Sequence, residues 1–177
     1  MIADLPVVDS VLERRANRIG GDLPAYRNHV YRIVNLMEAM APVGPADSPA
    51  VGAAAVFHDI GLWTAGTWDY IPPSVAAAEQ WLREAGQAAL VPVVRAMIEN
   101  HHKLLPCPAG TTRLAENFRR ADWCDVSLGL RPGGVPATRY RQILDRFPAH
   151  GFHRRLLALA IRHGWRQPWR PLPMFRL

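Results

Sequence analysis

Cysteine is nearly missing from this chain. Cys107 and Cys124 are the two present, and they lack the Cys-x-x-Cys spacing of a zinc knuckle or redox pair. Two cysteines are too few for a disulfide framework, which fits a reducing cytoplasm. Long apolar runs are missing too. No stretch approaches the roughly 20 apolar residues of a membrane span, and the first ten residues, "MIADLPVVDS", have neither the basic start nor the apolar centre of a signal peptide. Strand signals are scarce. There is no repeat, no low-complexity tract, no linker and no nucleic-acid-binding motif. Lysine is rare, and Arg greatly outnumbers it. A net charge of +6, supplied largely by Arg in the last quarter, suits a small anionic ligand such as a phosphate ester, because a guanidinium can grip such an oxyanion with two parallel hydrogen bonds.

What remains is an ordinary globular composition, 49% hydrophobic and 20% charged over 177 residues. The length fits one domain with a proper core. Helical periodicity dominates, so the expected fold is all-α, a single bundle of about seven to eight helices. Asp9 or Ser10 would cap a first helix ending at Gly20-Gly21. A second starts near Pro24, with Tyr26, Val30, Ile33, Val34, Met37 and Met40 along one apolar stripe. His29 falls within that stripe. Ser48 would cap a third helix with Pro49 at its first position. Val51 to Phe57 are apolar nearly all round, which places that helix at the centre. His58 and Asp59 occupy its last turn. A loop, "GLWTAGTWDYIPP", leads to a helix over "SVAAAEQWLREAG". In the next helix Val94, Met97, Ile98 and His101 share a face, with His102 about 100° away. Thr112 would cap a helix carrying Leu114, Phe118, Ala121, Asp122 and Asp125 along one side. Two further helices are expected around "ATRYRQILDRF" and "FHRRLLALAIRH", followed by an extended, proline-rich "RQPWRPLPMFRL".

His29, His58, Asp59, His101 and Asp122 thus come from four helices, each on an inward face or in the last turn of a buried segment. A single buried His is usually a satisfied core residue. Five ligand-type side chains converging on one interior is how helical bundles build metal sites. The mixed imidazole and carboxylate set suits one divalent ion of manganese, iron, nickel, cobalt or zinc.

The order "NHVYRIVN", "VFHDIG", "IENHHK", "RRADWCDVS" resembles the HD-domain superfamily of metal-dependent phosphohydrolases, over roughly residues 26–128. The resemblance implies that His29, His58, Asp59 and Asp122 hold the metal, with His101 as a further possible ligand. Asp122 rather than Asp125 matches the late Asp because it follows an Ala. Two departures matter. Members with two metals usually carry a His near the position of Ser74, and no His occurs from 60 to 100, which argues for one metal. Some members carry a Glu where this chain has Leu62, so a catalytic acid would come from elsewhere.

The resemblance implies a hydrolase of a nucleotide or other small phosphoester. Asp69, ten residues beyond Asp59, is the first candidate for the acid or base. His102 and Lys103 follow, as contacts to an anionic substrate and as the next catalytic candidates after Asp69. Trp63, Trp68 and Tyr70 could line a pocket for a ring, and Arg119 and Arg120 could each clamp a phosphate or form a surface ion pair. Two other classes stay open: a hydratase, lyase or oxygenase on the same fold with a non-phosphate substrate, and a non-catalytic protein that keeps the metal as a staple. A homodimer is possible.

Overall fold

A computed structural model describes residues 1–166 and Trp169. The proline-rich end expected from residue 167 onward lies largely outside the described residues. The fold is all-helical, with no strand among the described residues. In chain order the helices are α1 (Pro6–Ile19), α2 (Leu23–Met40), α3 (Ser48–Phe57), α4 (Gly61–Thr64), α5 (Ile71–Glu84), α6 (Val91–Asn100), α7 (Arg113–Val126), α8 (Ala137–Arg146) and α9 (Phe152–Arg166).

Helix α3 is the hub, packed against α1, α2, α5 and α6. Every residue from Ala50 to Phe57 is buried, as an apolar helix without a polar face must be. Its packing is close: a Cβ on Gly52 would stand 2.8 Å from a methyl of Val7 in α1. Helix α7 packs on both α2 and α6. One continuous apolar core results, with Tyr26, Tyr31, Phe57, Phe118 and Phe152 among its largest fully buried side chains.

Several starts differ from the sequence expectation. Helix α1 begins at Pro6 and α5 at Ile71, three residues before Ser74. In both, proline sits in the first turn, where its missing N–H costs no intrahelical bond. Ser48 is the first helical residue of α3 and makes no side-chain cap. Thr112 does cap α7, its hydroxyl accepting from the Ala115 N–H at 3.3 Å. The segment after Asp59, expected as pure loop, contains the single turn α4.

Candidate metal centre

Four elements deliver the site. His29 comes from the middle of α2. His58 ends α3, its N–H still bonded to the Ala54 carbonyl at 2.9 Å. Shorter-range bonds, Ile60 N–H to Phe57 O and Leu62 N–H to Asp59 O, then turn the chain and leave Asp59 facing inward. His101 closes α6, and Asp122 projects from α7. Gly61 is required at the turn: a Cβ there would lie 2.5 Å from the Tyr70 carbonyl oxygen. The Gly61 N–H also donates to the Ser74 hydroxyl at 3.0 Å. Ser74, at the position where two-metal members of the resembling family place a His, therefore pins the turn.

The five expected ligands do meet. His29 Nε2 lies 3.0 Å from His58 Nε2, and 3.7 Å from both Asp59 Oδ2 and Asp122 Oδ1. His58 Nε2 is 3.4 Å from Asp59 Oδ2 and 3.8 Å from Asp122 Oδ1. His101 Nε2 is 3.4 Å from the other Asp59 oxygen. All five residues are at most 2% exposed.

Each imidazole is oriented by its other nitrogen. Nδ1–H of His29 donates to Asp125 Oδ2 at 2.7 Å, that of His58 to the Ala55 carbonyl at 2.8 Å, and that of His101 to the Ile98 carbonyl at 2.6 Å. These oxygens only accept, so the proton is assigned to Nδ1 in all three rings. The three Nε2 lone pairs then point at the carboxylates and at one another. That is the outer support expected around metal-ligating histidines.

The charges tell the same story. Burial lowers His29 from its usual 6.5 to about 4, in spite of the opposing pull of Asp125. Burial pushes Asp122 well above the carboxylate range, helped by the negative charge on Asp59. Asp59 is held well below that range: burial opposes its charge, but His58 and His101 outweigh it. A proton shared between His29 and His58 would satisfy that one contact. It would leave His101 Nε2, one Asp59 oxygen and both Asp122 oxygens buried with no hydrogen-bond partner. Orphaned buried polar atoms are costly, and a divalent cation at the centre of these acceptors offsets all of them at once. The donor set therefore fits a metal ion.

Asp125, the alternative late ligand, has a different task. Arg32 grips both its oxygens, Nε to Oδ1 at 2.6 Å and Nη2 to Oδ2 at 2.8 Å, and also donates to the Phe147 carbonyl at 3.0 Å. Arg32 holds Asp125 ionised against the penalty of burial. Phe152 of α9 stacks on the His29 ring, centroids 4.1 Å apart. The sequence reading passed over Arg32 and Phe152. The signal for Arg32 was its place three residues after His29, in the middle of an apolar helix.

His102 is buried in the cluster, not displayed to an anion. Helix α6 ends at Asn100, so helical phasing no longer governs residue 102. Its Nδ1 is 3.6 Å from Asp122 Oδ2, and its Nε2 makes a short contact with the Tyr70 hydroxyl. Asp59, His101 and His102 form a second potential ligand triad that shares Asp59 with the first, His29, His58 and Asp59.

The remaining candidates fall around this core. Asp69 is half-buried in the loop beside Tyr70, its N–H donating to the Thr67 hydroxyl at 3.2 Å. Lys103 is half-buried, and its carbonyl accepts from Arg119 and from Trp123. Arg119 is committed to Glu116 through two bonds of 2.9 and 2.7 Å, and Arg120 to the Gly133 carbonyl. Trp63 donates to Asp22 at 3.0 Å and packs on Tyr26. Arg119, Arg120 and Trp63 thus each have a structural partner. Trp68 differs: with Leu62 and Thr67 it lines a cleft of about 270 Å³ whose far wall is Leu159, Arg162 and His163 of α9. The Trp68 ring is 6.2 Å from Tyr70, which touches His102.

No family model, curated protein or solved structure matches the chain.

Proposed function

We propose that this protein is a divalent-metal-dependent hydrolase of a nucleotide or other small phosphoester, of the HD-domain kind. The observation that carries the reading is the convergence of three histidine Nε2 atoms and two buried carboxylates, three of whose four oxygens have no hydrogen-bond partner. His29, His58, Asp59 and Asp122 would hold the ion, with His101 beside them. A metal ion so held supplies Lewis acidity toward a phosphoryl oxygen and toward water. The rest is the chain's own work. Asp125 fixes the tautomer of His29 and raises its basicity. His102, which burial drives well below its usual range, stays neutral at pH 7 and presents nitrogen to Tyr70 and Asp122. The buried setting keeps bulk water from competing with the substrate. Asp69 remains the proposed acid or base, and the cleft between Trp68 and Arg162 can take the organic part of the substrate.

A second reading has its own observation. Because Asp59 belongs to two ligand triads, the centre could hold two ions, which suits an iron oxygenase with a non-phosphate substrate. One experiment separates the two. The purified chain is loaded with manganese, iron, nickel, cobalt or zinc, its metal content is measured, and it is offered nucleotides and generic phosphoesters. The hydrolase reading expects about one ion per chain and metal-dependent phosphate release that Asp59→Ala abolishes. Full occupancy with no turnover of any phosphoester contradicts it and leaves the metal centre standing.

A further inference from the structure

The formal charge is distributed very unevenly. All 15 acidic residues lie at or before Asp145. Residues 1–146 are formally neutral, so the whole +6 rests on Arg154, Arg155, Arg162, Arg166, Arg170 and Arg176. Helix α9 holds four of these arginines. Its packed side is accounted for: Phe152 is buried against His29, and Leu156 packs on the core. Its opposite side is apolar and uncovered among the described residues. Leu157, Ile161 and Trp165 follow one another at four-residue steps, with Trp165 85% exposed and Trp169 beyond it 80% exposed. Arg154, one turn before Leu157, stands at the head of that stripe, and Arg162 lies beside it; both are exposed. Arg155 is paired with Asp22 at 2.9 Å and remains half-exposed.

Aliphatic and tryptophan side chains on one helix face, bordered by arginine and free of acidic groups, match the chemistry of an anionic bilayer surface. The apolar residues enter the boundary between headgroups and acyl chains, and the arginines meet lipid phosphates. Two other occupants fit less well. A nucleic acid would use the arginines but not the aliphatic stripe, since phosphate contacts need no apolar face. A second copy would bring like-charged helices together. We infer that α9 docks the protein on membranes rich in anionic lipid. This is peripheral attachment, since no helix among the described residues is long and apolar enough to cross a bilayer. The inference is independent of the metal centre.

The test is flotation of the full chain with vesicles of phosphatidylcholine alone or with about 30% phosphatidylserine. The expected result is partitioning at least about tenfold stronger on the anionic vesicles, weakened by added salt. It should be lost in Ile161→Ser/Trp165→Ser. Circular dichroism and melting of that variant should match wild type, because both side chains point away from the core. Equal partitioning on the two vesicle types overturns the proposal, as does undiminished binding by the folded double variant. A wild-type dimer in light scattering that the same variant dissociates, or duplex DNA bound as tightly as the vesicles, also overturns it.

Discussion

Two neighbouring buried polar groups in this protein have opposite character. Around Asp125 every charge has an answer: Arg32 takes both carboxylate oxygens, His29 donates to one of them, and His153 donates to the backbone carbonyl at 2.9 Å. A few ångströms away, Asp59 and Asp122 face imidazoles and Tyr70, and four of the acceptor atoms there have no hydrogen-bond partner. His29 belongs to both: its Nδ1 donates to Asp125, and its Nε2 faces His58 and the two open carboxylates. The closed cluster is scaffold. The open one could hold a cation, and the scaffold keeps its ligand atoms in place.

The largest break in this comparison should come from the closed side. Arg32→Ala would leave Asp125 buried without its cation and cost about 3–5 kcal/mol, read as a lower denaturant midpoint with or without metal. Acid sharpens the contrast next. In the metal-free protein folded His29 titrates at about 4 against 6.5 when unfolded, so the unfolded chain binds the proton first. The stability contribution is complete above pH 6.5 and is lost as pH falls toward 4, about 3 kcal/mol in all. A melting series over that window checks it. Asp125→Asn should keep the shape of the closed cluster but weaken its hold on His29, lowering metal affinity about 10- to 100-fold by competition titration, along with some loss of stability. Smallest is Asp69→Asn, which should leave metal content and melting near wild type and lower kcat by at least about tenfold on any substrate found. Wild-type turnover by that variant would move the catalytic role to His102 or Lys103.

Much of this was legible from residue spacing. His29 sits in the stripe of Tyr26, Val30 and Ile33, and helical phase alone turns it inward. The uniform apolarity of residues 51–57 made α3 central. That fixed the depth of His58 and Asp59. The rest depended on contacts that spacing does not encode. His102 looked displaced from its helix face because the helix was extended past Asn100, where it ends. For Arg119 the sequence leaves a phosphate clamp and a surface ion pair open, and the structure shows it paired with Glu116, three residues earlier on the same helix. Arg32 is marked in the sequence only by its place in an apolar helix, and its role becomes readable once its carboxylate, 93 residues away, is seen beside it. The shared position of Asp59 between two triads likewise needed His102 to be buried.

The central claim is that the open cluster binds a divalent cation. It is tested most directly by stripping the wild-type chain and Asp59→Ala with a chelator, then measuring retained metal and melting temperature as each candidate ion is restored. Binding to the folded state alone must raise stability in proportion to affinity. The account predicts that wild type recovers at least one equivalent of an ion and melts several degrees higher, by about 2–4 °C for each kcal/mol of binding, whereas Asp59→Ala does neither. A stripped wild-type protein that retains none of the five ions and melts at one temperature with or without them would contradict it.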